Sequence, residues 1–138
     1  MAEAYLARRS DTDMPLVLKR IRADHATNEE YQARFVLEAQ VASRLDHPCL
    51  VGFQEFGRVG DCHYLALDMV RGWSLLRLLD AVMDTEARVP VPVGLARWQN
   101  LLDALGCMHS VLDDSGKKRP MLHRDVPPSN VIVSWEGL

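Results

Sequence analysis

Leu122-His123-Arg124-Asp125-Val126-Pro127-Pro128-Ser129-Asn130-Val131-Ile132-Val133 is the stretch whose reading decides the fold. An acid, Asp125, sits in a polar turn that Pro127 and Pro128 stiffen. An amide, Asn130, follows five residues later, and an apolar β-branched run comes next. This pattern describes a rigid loop feeding a buried strand, a place where a scaffold can hold polar side chains still.

Working outward, Met1–Ala7 reads as a short strand, and the charged stretch Arg8–Asp13 turns the chain into a second strand, Pro15–Ile21. The two-residue period puts Val17, Lys19 and Ile21 on one face of that strand. A lysine there either snorkels to water or meets an anion. Asn28–Leu45 is helical, with Tyr31, Phe35, Val41, Ala42 and Leu45 at spacings of three and four. Glu38 falls inside that stripe, where a carboxylate is costly unless it reaches solvent or a cation meets it. His47-Pro48 follows the helix, with His47 read as a packing or capping residue. Strands are expected at Leu50–Phe56 and His63–Val70, joined by a turn at Gly57–Asp61. Ser74 is positioned to cap a short helix, and Thr85–Pro92 reads as a loop. Val93–Ser110 has the strongest helical pattern, with Leu95, Trp98, Leu102, Leu105, His109 and Leu112 in one stripe and Trp98 in the core. Asp113–Pro120 is a charged loop whose basic triplet is solvated. A last strand, Val131–Trp135, and a turn at Glu136-Gly137 complete the pattern.

Composition narrows the class. The chain has 138 residues, 48% of them hydrophobic and 25% charged, enough for one soluble domain with a real core. A net charge of −3 argues against nucleic acid or an anionic membrane as the main partner. Cys49, Cys62 and Cys107 show no CxxC or zinc spacing, which fits reduced thiols. No apolar run approaches the roughly 18 residues a membrane span needs, and the N-terminus lacks the layout of a signal peptide. The expected compartment is the cytoplasm.

The spacing H-R-D-V-x-x-x-N at 123–130 resembles the catalytic loop of protein kinases, with Val126 for the usual leucine. Leu16-Val17-Leu18-Lys19 resembles the kinase strand that carries a phosphate-binding lysine, and Glu38 resembles its helix partner. Tyr64–Gly72 resembles the strand and hinge between the two kinase lobes. Together these identify the chain as similar to a eukaryotic-like serine/threonine protein kinase of the bacterial type. The fold so implied is α+β, a fragment of the protein-kinase fold. An N-lobe antiparallel sheet with an αC-like helix, and the hinge, would occupy residues 1–70. A partial helical C-lobe ending after the catalytic loop would occupy 71–138.

The resemblance implies roles residue by residue. Asp125 would accept the acceptor hydroxyl's proton, Asn130 would hold Mg²⁺, and Lys19, set by Glu38, would fix the ATP phosphates. Leu67 would take the gatekeeper place, while Asp68 and Val70 would offer backbone groups to the adenine edge. Ala4 and Val17 would line the nucleotide site, Arg124 would pair with an activation-loop phosphate, and His123 would be structural. The partners implied are ATP and a protein substrate.

Departures from the family pattern stand beside these matches. Pro127 occupies the position where serine/threonine kinases commonly carry a lysine that contacts the transferred phosphate. Met1–Ala7 looks like the second half of a glycine-rich loop, with Ala2 at its third glycine place. Glu55-Phe56-Gly57 resembles the D-F-G tripeptide but lies upstream of the catalytic loop, so it reads as a strand end and turn. No D-F-G, activation segment or A-P-E follows that loop, so the resemblance spans about half of a domain on the order of 250–300 residues. A piece of this kind is expected to be inactive alone. Two alternatives use the same residues: a small-molecule phosphotransferase like the aminoglycoside kinases, and a remnant or pseudokinase that acts only by binding.

Overall fold

The computed structural model describes residues 2–25, 28–85, 87–112 and 115–136. Met1 of the first expected strand, Glu86, Asp113 and Asp114 of the expected loops, and Gly137 of the final turn lie outside them. The chain divides into two compact units, one of Met1–Asp46 with Leu50–Met69, the other of His47–Cys49 with Val70–Leu138.

In the first unit four antiparallel strands form one sheet, ordered β1 (Ala2–Arg8), β2 (Pro15–Ile21), β4 (Cys62–Asp68), β3 (Phe53–Val59). Gly60 and Asp61 alone join β3 to β4, since Val59 already pairs with Cys62. Gly60 takes φ 59°, and glycine at the first central position is what such a two-residue hairpin turn favours. The expected turn at Gly57 is therefore corrected: Glu55-Phe56-Gly57 lies inside β3. A Cβ on Gly57 would fall 2.5 Å from the Tyr64 ring, so glycine here makes room for a cross-strand tyrosine.

Helix α1 (Glu29–Ala42) starts at Asn28, whose side chain accepts the N–H groups of Glu30 at 3.0 Å and Tyr31 at 3.2 Å. It ends three residues before Leu45, with Ser43 as its C-cap. Phe35 and Ala39, one turn apart, are its buried side. They meet Ile21 of β2 and Leu65 of β4, the latter only 1% exposed, and Phe53, Phe56 and Leu67 pack around them. The Phe35 and Phe56 ring centroids lie 6.4 Å apart, a tilted aromatic contact.

In the second unit β5 (Gly72–Ser74) pairs antiparallel with β6 (Ile132–Ser134). The strand read through Val70 stops at Asp68, and Gly72 opens a new one. A Cβ on Gly72 would sit 2.2 Å from the Val133 carbonyl oxygen, so only glycine allows the two backbones this approach. The β-branched run after Asn130 is not a buried strand. Ile132 is 42% exposed, because a two-stranded ladder leaves much of each strand uncovered.

Ser74 caps α2 (Leu75–Met83) by accepting the Arg77 N–H at 3.3 Å. Helix α3 (Val91–His109) begins inside the expected Thr85–Pro92 loop, since Pro92 in a first turn has no N–H to lose. Its buried residues are Ala104 and Met108. Trp98 is 61% exposed, with Leu95 and Leu102 beside it on the helix, so the expectation that it is core is corrected. The three–four spacing located an apolar face, but the buried row is the neighbouring one. No helix among the described residues is long and apolar enough to cross a membrane.

Candidate active site

In the first unit Lys19 Nζ meets Glu38 Oε1 at 2.5 Å, an ion pair between β2 and α1. The core builds it. Burial of Phe35 and Ala39 seats α1 on the sheet and leaves Glu38, three residues after Phe35, at the helix edge toward β2. The lysine therefore meets an anion rather than water alone. The side chains remain 32% and 47% exposed, so the pair adds at most about 1 kcal/mol to folding, and its consequence is orientation of the ammonium group.

The strand register gathers other candidates on the same face. Ala4 lies opposite Lys19, and Val17 lies opposite Leu67. Ala4 is exposed, while Val17 and Leu67 are half-buried. Leu6, opposite Val17 and also on this face, is exposed and was not singled out from the sequence. The two-residue period of β1 carries that signal. On the opposite face Tyr5 donates to Glu3 at 2.6 Å, and the Arg20 guanidinium lies 5.0 Å from the Tyr5 ring centroid. The Tyr5 hydroxyl, and then Arg20, hold the Glu3 carboxyl below the usual carboxylate value.

Asp68 ends β4 with its N–H donating to the Gly52 carbonyl at 2.9 Å and its carboxylate accepting from Gln54 Nε2 at 2.6 Å. Gln54 gave no sequence signal. Val70, half-buried, belongs to the second unit.

In the second unit Asp125 and Asn130 stand on one loop. Asn130 closes a single 3-10 turn, Pro128–Asn130, with its N–H donating to the Pro127 carbonyl at 2.9 Å. Its Nδ2 donates to Asp125 Oδ2 at 2.9 Å. Upstream the Met121 N–H donates to the Met108 carbonyl at 3.0 Å, and downstream the Leu75 N–H donates to the Val131 carbonyl at 2.7 Å, so both ends of the loop are anchored on helices. Arg124 takes φ 61°, left-handed backbone that costs a non-glycine residue on the order of 1–3 kcal/mol and persists only where its surroundings impose it. It immediately precedes the exposed Asp125 carboxylate. His123 and Arg124 are exposed as well.

Asn130 spends its amide N–H on Asp125, which leaves its Oδ1 as a hard oxygen donor of the kind Mg²⁺ takes. Among the described residues no three His, Cys, Asp or Glu side chains cluster as a metal site. The Asn130 amide oxygen suits one coordination position of Mg²⁺, an ion that at nucleotides usually takes its other ligands from phosphates, carboxylates and water.

The protein kinase domain family matches residues 1–137 of this chain. The tyrosine-protein kinase MasK of Myxococcus xanthus is 29% identical over 99% of the chain, which spans 22% of that protein. The serine/threonine-protein kinase PrkC of Bacillus subtilis is 28% identical over 99% of the chain, which spans 19% of it. The crystal structure of the Mycobacterium tuberculosis PknI kinase domain superposes on 99% of the chain with a TM-score of 0.76 at 28% identity, and the chain covers 51% of that domain.

Proposed function

This chain belongs to the protein kinase domain family, and on that premise we propose that it is of the bacterial serine/threonine type and supplies the nucleotide-holding strands and the catalytic loop of a transferase that moves the ATP γ-phosphate to protein serine or threonine hydroxyls. Lys19 holds the α/β-phosphates, and Glu38 keeps its ammonium aimed. Ala4, Val17 and Leu67 give the base an apolar lining, and the backbones of Asp68 and Val70 meet its edge. Asp125 orients the acceptor hydroxyl and takes its proton as the oxygen attacks phosphorus. Bound Mg²⁺ would neutralise phosphate charge, and Asn130 Oδ1 is the residue of this chain that would hold it. Three free thiols, Cys49, Cys62 and Cys107, support a reducing, cytoplasmic setting.

The observation that carries the reading is the Lys19–Glu38 ion pair. It joins two residues from separate elements that have no local reason to meet. The test is phosphoamino-acid analysis after incubation of the full-length protein with γ-labelled ATP and magnesium. Phosphoserine or phosphothreonine in a protein acceptor, lost in Lys19→Met, is expected. Phosphotyrosine alone would move the chain toward MasK-like chemistry. Pro127, in place of a phosphate-contacting lysine, favours one second reading, a module that binds without transfer. Intact nucleotide binding with no transfer to any protein would select it.

A further inference from the structure

We propose that Gln54 is a positioning residue for the nucleotide base and acts through Asp68. The inference rests on the reading of Asp68 as a base contact. In the β3–β4 ladder Phe53 faces Leu67 and Glu55 faces Ala66, so Gln54 is the extra residue of a β-bulge. A bulge leaves its extra residue out of the ladder and re-aims the side chain. Here the side chain turns onto the end of β4, where Nε2 donates to Asp68 Oδ1 at 2.6 Å in partly buried surroundings. A hydrogen bond to a carboxylate is roughly twice as strong as one between neutral groups.

Gly52 completes the clamp. Its carbonyl accepts the Asp68 N–H at 2.9 Å, and a Cβ on it would lie 2.1 Å from Asp68 Oδ2. The Asp68 carboxylate thus rests in space that only glycine leaves open. Residues 52 and 54 together fix the last residue of β4 by one backbone bond, one charge-assisted bond and one close packing contact. The N–H and the carboxylate of Asp68 are both engaged, and its carbonyl is the polar group these bonds do not use. A fixed carbonyl accepts from a donor and repels another acceptor. It therefore favours a purine with an amino group at position 6 over one bearing hydrogen there. Gln54 holds that carbonyl in place without touching the nucleotide.

The experiment measures kcat and KM of the full-length protein with ATP and with purine riboside triphosphate, which lacks the 6-amino group. The parent should prefer ATP. Gln54→Leu should lower that preference roughly three- to tenfold, the size of a misplaced hydrogen bond, with the loss in KM for ATP and kcat held within about twofold. Gln54→Lys, which keeps an N–H donor, should restore most of the preference. Faster hydrogen exchange at the Asp68 amide in Gln54→Leu gives a second reading that needs no turnover. An unchanged preference or unchanged exchange in Gln54→Leu overturns the inference alone, as does equal loss in the Leu and Lys variants, which would mean packing rather than donation. A parent that uses no nucleotide overturns it together with the kinase reading beneath it.

Discussion

Lys19 and Glu38 stand 19 residues apart and meet because β2 and α1 share one core, whereas Asp125 and Asn130 stand 5 apart and meet inside one loop. The first pair depends on packing at a distance. Ile21, Phe35, Ala39 and Leu65 must all be in place before the lysine finds its carboxylate. The second depends on local backbone, on two prolines, a one-turn 3-10 segment and a left-handed Arg124. A polar pair can thus be pre-set by a core that joins distant elements or by its own turn, and the two kinds should fail under different substitutions.

The largest expected effect separates chemistry from architecture. In the full-length protein Asp125→Asn should lower phosphoryl transfer by about 10²–10⁴-fold, the range of a general base, while nucleotide binding is kept. The amide has the size of the carboxylate but cannot take the hydroxyl proton. Transfer within a few-fold of the parent would remove Asp125 from the role of base.

Next in size is Phe35→Ala, which should cost about 3–5 kcal/mol in a denaturant melt as the core of the first unit loses a ring. By NMR the Lys19–Glu38 contact should disappear while the Asn130–Asp125 hydrogen bond stays. Loss of both pairs together would break the contrast between distant and local construction.

Arg124 tests the local side. Arg124→Gly should be more stable than Arg124→Ala by about 1–2 kcal/mol, because only glycine takes φ near +60° without a Cβ clash. Equal melting of the two variants would show that the left-handed backbone carries no strain.

The smallest stability effect is expected for Glu38→Gln. The pair is half in water, so folding should change by no more than about 1 kcal/mol, yet KM for ATP should rise because the lysine loses its guide. A large loss of stability with unchanged KM would recast the pair as structural.

What the sequence determined by itself about this protein is what a few neighbouring residues decide. Pro15–Ile21 forms β2 with its expected limits, Ser74 caps the helix that follows it, and Asp125 and Asn130 share a proline-stiffened turn. Each follows from periodicity, a capping oxygen or a fixed φ, free energies that act within about one turn of chain. Lys19 and Glu38 were legible only through the resemblance, since each alone reads equally well as a surface charge. The tertiary structure alone decided the bulge at Gln54, the ladder of Gly72–Ser74 with Ile132–Ser134, and the place of Gly57 under Tyr64. It also decided that Ala104 and Met108, rather than Trp98, are buried on α3. The physical reason is common to these cases. An apolar stripe, a glycine or an amide states what kind of neighbour it suits, but the neighbour itself arrives from a distant part of the chain.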